Sequence, residues 1–215
     1  MGKVMMSGVA PNMTVPMKIA EGSIVKLNEN GSPVEFYVAK NDYENTLNGT
    51  GRILLVRKDC YDIRVWHSSN VNAYAASDID SWLDRYKGLL DDDIQSAIGT
   101  TKFYYTPGNG NKTITTLERS IFLLSVTELA KSVGYANKEG AALSIASILE
   151  VANRNGSAVH QWTRSPNTYG TASVCYVSST GNAETTGCNN NLIASRPAFT
   201  LPSSISIRDD GMVVL

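Results

Sequence analysis

Side chains able to do chemistry are few and scattered in this 215-residue chain. There are two histidines, His67 and His160, and three cysteines, Cys60, Cys175 and Cys188. A Ser-His-Asp relay needs a histidine oriented by a carboxylate, and neither histidine has such a partner at a telling spacing. Both read as surface or packing residues. The cysteines form no Cys-x-x-Cys pair and no His-rich cluster accompanies them, which argues against structural zinc. Cys175 and Cys188 flank a candidate hairpin. A turn centred on Thr180-Gly181 does not set them opposite each other, so a disulfide fits the geometry poorly. Three reduced thiols, made in a cytoplasm, are expected. Asp91-Asp92-Asp93 invites a metal reading. Successive helical residues point in different directions, so the triplet serves better as a cap and dipole complement. Gly108-Asn109-Gly110 lacks the length and the following helix of a phosphate loop. No catalytic residue, metal ligand or cofactor is therefore expected.

Binding is better supported, and it centres on the last third of the chain. Gln161-Trp162-Thr163-Arg164-Ser165-Pro166 opens the segment and Ser195-Arg196-Pro197-Ala198-Phe199 closes it. Between them, residues 172–177 alternate as a strand, and Ser179-Thr180-Gly181-Asn182 reads as a tight turn. The return, residues 183–191, is almost entirely small and polar. Trp162 and Phe199 can anchor the two ends, while the Arg164 and Arg196 forks can tie irregular backbone together. Tyr among Ser, Thr, Gly and Asn is the composition that recognition loops favour. Tyr169, Thr171, Ser173, Asn182, Glu184 and Asn190 are the expected ligand-binding residues. A plain solvated edge hairpin is the competing reading.

The paired Trp-x-Arg-Ser-Pro and Arg-Pro-Ala motifs resemble the closing signature of an uncharacterised bacterial and phage domain family of unknown function. That family is similar to the formylglycine-generating-enzyme type of C-type-lectin-like fold, and the resemblance covers residues 22–202. It implies an α+β, C-type-lectin-like domain in a virion-associated phage or prophage protein of gut-type bacteria. It implies no chemistry. The sulfatase-activating relatives of the fold act through paired cysteines near their C-terminal end, and the surroundings of Cys175 and Cys188 do not reproduce that motif.

The rest of the chain must position this segment. Its length fits one domain, and 42% hydrophobic with 18% charged residues is ordinary for a globular protein. A net charge of −1 lacks the basic excess of a nucleic-acid footprint. No apolar run is long enough to span a bilayer, and the N-terminus lacks a signal-peptide core. Residues 1–21, rich in Met and Val, are expected to form an arm that packs on another subunit; residues 22–215 form the domain. Within it, residues 24–27 and 34–39 pair as a hairpin around Asn30-Gly31, and residues 53–57 form a buried strand. Ser77 caps a helix that places Ile79, Trp82, Leu83 and Tyr86 on one face. A shorter helix follows the aspartates, and residues 101–105 form a strand. The capping box at Ser125 and Glu128 predicts a third helix ending at Gly134, and residues 141–151 predict a fourth. A small hairpin joins residues 205–207 to 212–214.

Three functions fit these expectations. The first is a non-enzymatic protein displaying a receptor-recognition face for a host-surface protein or glycan. The second is a purely structural assembly protein, and the third an oxidase of the formylglycine-generating type.

Overall fold

A hairpin opens the described chain: β1 (Ile24–Glu29) pairs antiparallel with β2 (Ser32–Asn41). Asn30 and Gly31 close it at φ 51° and 73°. A two-residue loop needs this left-handed pair to match strand twist, which is why Asn-Gly stands there. A computed structural model describes residues 18–215. The expected arm over 1–21, with its packing on another subunit, falls almost wholly on residues 1–17, outside the described residues.

A one-turn helix α1 (Asn45–Asn48) leads into β3 (Arg52–Arg57), whose four central residues are buried. Ser77 accepts a hydrogen bond from Asp80 N at 3.1 Å and starts α2 (Asp78–Tyr86). Ile79, Trp82, Leu83 and Tyr86 are buried along it, as the three-and-four spacing requires. In α3 (Asp92–Ala97) the aspartates diverge. Asp91 accepts from Asn28 Nδ2, while Asp93 accepts from Ile94 N. Then come the hairpin of β4 (Thr101–Tyr105) with β5 (Thr115–Arg119), the short β6 (Ile121–Phe122), and one further helical turn, α4 (Ala146–Leu149).

The remainder is strand. β7 (Ala152–Arg154) and β8 (Ser157–Val159) close on Asn155-Gly156, a second left-handed Asn-Gly pair. β9 (Gln161–Pro166), β10 (Ser173–Val177) and β11 (Ala183–Gly187) form a three-stranded antiparallel sheet with β10 in the middle. β12 (Ala198–Pro202) then enters the main sheet, of order β1-β2-β3-β12-β6. A last small hairpin pairs β13 (Ser206–Ile207) with β14 (Val213–Val214). Strand predominates over helix in an α+β mixture. The core between the elements holds Phe36, Leu54, Trp66, Phe103, Phe122, Trp162 and Phe199, all essentially inaccessible.

One expected helix is absent and another is cut to a single turn. The Ser125–Glu128 box forms on both sides: Glu128 N donates to Ser125 Oγ at 3.1 Å, and Ser125 N donates to Glu128 Oε2 at 2.8 Å. No helix grows from it, because Ala130 turns left-handed at φ 56° and the chain continues as turns. Of residues 141–151 only 146–149 are helical. The apolar residues there are committed separately. Leu143 and Ile145 are buried in the core, while Ile148 and Val151 stay exposed.

Candidate functional site

β9 is the spine of the closing segment, and all six of its residues are buried. A strand with so many buried polar side chains must satisfy each of them. Thr163 Oγ1 donates to Cys175 O at 2.7 Å, and Ser165 Oγ donates to Glu139 Oε2 at 2.6 Å. Arg164 is fully buried. It donates to Tyr104 O from Nε and Nη2 at 3.2 and 3.0 Å, and from Nη1 to Leu123 O at 2.8 Å and Glu128 Oε2 at 2.7 Å. Its guanidinium also lies over the Phe103 ring, 4.5 Å from the centroid. Glu128, equally buried, also accepts from the Tyr43 hydroxyl. The aborted helix thus delivers a capping carboxylate to an arginine that neutralises it.

Burial sets the electrostatics here. Alone it would pull the Arg164 guanidinium down, but Glu128 beside it holds it above its ordinary range. Burial, then the Glu128 charge, pushes the Tyr43 phenol well up. Burial also raises the Glu139 carboxyl, against Arg164 and the hydrogen bonds from Ser165 and Thr106 N.

Arg196 performs the matching task at the other end. It donates to Arg57 O (2.8 Å), Lys58 O (2.6 Å), Leu149 O (2.7 Å) and Gln161 Oε1 (3.3 Å), with no carboxylate partner among the described residues. Trp162 Nε1 donates to Arg64 O at 2.7 Å, and Phe199 packs edge-on against Phe36 at 5.5 Å. Trp162, Arg164, Arg196 and Phe199 are therefore the frame of this segment.

Within the frame sits a cluster of loops, joined by a residue that sequence reasoning passed over. Asn72 Nδ2 lies 3.0, 2.9 and 2.8 Å from the carbonyl oxygens of Asn167, Gly170 and Ser173. Its Oδ1 accepts from Asn109 N at 2.7 Å, and its own N–H donates to Thr171 O at 2.8 Å. One buried amide thus ties residues 167–173 to the 108–111 turn. Gly108 sits so close that a Cβ there would lie 1.9 Å from Asn72 O, so only glycine fits. Asn72 stands in an irregular stretch without periodicity, and no local pattern marks it.

The expected binding residues distribute unevenly over this cluster. Tyr169 is 77% exposed, with Lys112 Nζ 6.0 Å from its ring centroid. Thr171 is exposed beside it. Asn190 is half-buried and donates to Thr186 Oγ1 at 3.0 Å; its loop joins 171–172 through Cys188 N to Ala172 O. Asn182 is at the far turn, four strand residues or roughly 14 Å from the Ser173 end. Ser173 is opposite Gly187, and Glu184 is opposite Tyr176, whose hydroxyl donates to it at 2.6 Å. That register sends Ser173 and Glu184 to opposite faces, because side chains alternate along a strand. The six residues therefore do not make one surface. Tyr169, Thr171 and Asn190 cluster at one end.

Residues suited to covalent chemistry are placed apart and enclosed. Burial pushes the Cys60 thiol up to about 11 and those of Cys175 and Cys188 up to about 12, which makes all three poor nucleophiles. All are free. His67 Nδ1 accepts from Ser69 N and His160 Nδ1 from Ser179 N, bonds that fasten local turns. Among the described residues no three His, Cys, Asp or Glu side chains gather as a metal site would require. No helix among them is long and apolar enough to cross a membrane.

A family model described as Domain of unknown function (DUF6273) matches residues 50–203. The chain belongs to the DUF6273 family. The match starts just before β3 and ends just after β12, the two strands paired at the heart of the main sheet. It holds Asn72, Glu128, Glu139, Arg164 and Arg196, while the β1–β2 hairpin and the terminal β13–β14 hairpin lie outside it. Neither the curated proteins nor the solved structures hold a match to this DUF6273 chain.

Proposed function

We propose that this DUF6273 protein is a non-enzymatic display protein, associated with a phage or prophage virion, whose recognition face lies at the loops around Tyr169. The observation that carries the reading is an exposed aromatic on a fixed backbone. Tyr169 is 77% exposed, yet the carbonyls on either side of it are held by Asn72. Such an arrangement presents contact area with little backbone ordering cost on binding. Thr171, Asn190 and the adjacent Lys112 supply polar contacts around it. The virion setting is supported by the closing signature Trp162–Pro166 and Arg196–Phe199. A C-type-lectin-like fold belongs to the same reading, supported by a sheet in which the early strands β1–β3 meet the late strand β12.

The test is an alanine series at Tyr169, Thr171 and Asn190, read by thermal melting and by binding to intact bacterial cells and an array of bacterial surface glycans. Tyr169→Ala and Thr171→Ala should leave stability within about 0.5 kcal/mol, as exposed positions do, while Asn190→Ala should cost about 1 kcal/mol for its bonds with Thr186 Oγ1 and Leu192 N. Tyr169→Ala should lose the most binding, since aromatic anchors dominate contact energy. If these variants bind as the parent does, the segment is structural and an assembly role replaces the display role.

A further inference from the structure

The irregular stretch that replaces the expected third helix encloses a groove of about 420 Å³. Val126, Ala130, Val133, Ala136 and Ala142 supply its apolar wall, Thr127, Ser132 and Asn137 interrupt it with neutral polar groups, and the exposed Lys138 stands at its rim. The groove is preformed. Leu143 N donates to Glu128 O at 3.0 Å, Ser125 Oγ donates to Glu139 O at 2.9 Å, and Glu139 N donates to Thr127 Oγ1 at 3.1 Å. The first of these bonds is made to Glu128, the partner of Arg164, and the other two fasten Glu139 to the Ser125–Thr127 turn, so the walls are tied to buried groups. Ala130 is kept at φ 56°, a conformation that costs a residue with a Cβ and persists only where its surroundings impose it.

The charge around the groove is one-sided. No Asp or Glu lines it. Lys131 also borders it, but its ammonium is answered by Glu150 Oε2 at 2.6 Å. Lys138 is exposed and forms no ion pair among the described residues. The backbone N–H groups of Val133 and Lys138 likewise have no acceptor among the described residues. An apolar slot of ligand size, with one uncompensated cation and free donors at its edge, matches a molecule with an aliphatic tail and an anionic head.

We propose that this groove binds a free aliphatic carboxylate. Its tail lies on Val126, Ala130, Val133, Ala136 and Ala142, and its carboxylate meets Lys138 at the rim. The site is separate from the Tyr169 loops and does not depend on their role.

Titration calorimetry of the 215-residue chain with sodium decanoate tests this, with decanol as the uncharged comparison. One saturable decanoate site is expected, with decanol bound at least tenfold more weakly. Lys138→Gln, at an exposed position that leaves the frame intact, should weaken decanoate at least tenfold and leave decanol unchanged. Ala142→Trp, also at an exposed position, should fill the slot and abolish both. Equal decanoate affinity in the parent and Lys138→Gln would overturn the proposal, as would undiminished binding by Ala142→Trp or the absence of a saturable site. Binding that emerges only after removal of residues 1–17 would overturn it too, by assigning the groove to the chain itself.

Discussion

Replacing Arg164 with methionine would test whether the closing segment is held by its buried ion pair. Methionine fills much of the same space but donates nothing. The change strands Glu128 without its cation and leaves Tyr104 O and Leu123 O without their guanidinium donors. Both Arg164 and Glu128 side chains are 0% exposed, so water cannot compensate without opening the core. Removing one partner of such a pair costs about 3–5 kcal/mol. For a domain of this size that lowers the melting temperature by about 6–20 °C. Glu128→Gln should cost less, because Arg164 still has the Glu139 charge near it. The double variant Arg164→Met/Glu128→Gln should be more stable than the sum of the singles predicts, by at least about 1 kcal/mol, since it leaves no orphaned carboxylate at Glu128. Urea and thermal unfolding followed by circular dichroism would read all four corners of the cycle. An Arg164→Met protein that melts within about 2 °C of the parent, or a strictly additive cycle, would refute the reasoning.

Glu139 gives a prediction of opposite sign. Burial raises its carboxyl above the ordinary 4.5, so the folded chain holds that proton more tightly than the unfolded chain does. Its contribution to stability is complete below 4.5 and is lost as pH climbs through the raised value. Glutamine can still accept from Thr106 N and face Ser165 Oγ, so Glu139→Gln should gain melting temperature over the parent as pH rises from about 4 to 8; a difference independent of pH would count against it. Arg196→Ala should cost about 2–4 kcal/mol, because it takes the guanidinium donors from Arg57 O, Lys58 O and Gln161 Oε1 and leaves Leu149 O with Gln161 Nε2 alone. Arg196→Lys should recover little of this, since an ammonium cannot span the fork; full recovery in a thermal melt would show that charge alone suffices.

Local chemistry made much of the frame readable. Asn30-Gly31, the Ser77 cap and the apolar face of α2 are decided within a few residues, and each stands where spacing put it. Arg164 and Arg196 were legible for a similar reason, since Arg beside Pro marks irregular backbone with carbonyls to satisfy. The Ser125–Glu128 box misled because a capping box specifies only one turn. Beyond that turn the path of the chain depends on Glu128 meeting Arg164, a partner 36 residues away. β9 escaped notice as a strand because its polar residues break the alternation, and their partners at Glu139, Cys175 and Tyr104 come from three separate segments. The candidate face was half legible. Composition located Tyr169, but the register that divides Ser173 from Glu184 is fixed by pairing with β9 and β11. Asn72 was invisible, because its five hydrogen bonds all reach residues at least 37 positions away.

The place of β12 between β3 and β6 bears on how the chain is made. Those two neighbours are complete by residue 122, yet they share no backbone hydrogen bonds until residues 198–202 arrive between them. During synthesis the main sheet therefore waits as two parts, with the apolar edge of β3 unpaired while some 140 further residues emerge. Arg196, two residues ahead of β12, carries the donors that gather Arg57, Lys58 and Leu149. Strand insertion and the fastening of the closing segment are thus one late event. A ribosome stalled before that point holds a chain with an open sheet edge, and such a chain is a natural substrate for a holding chaperone.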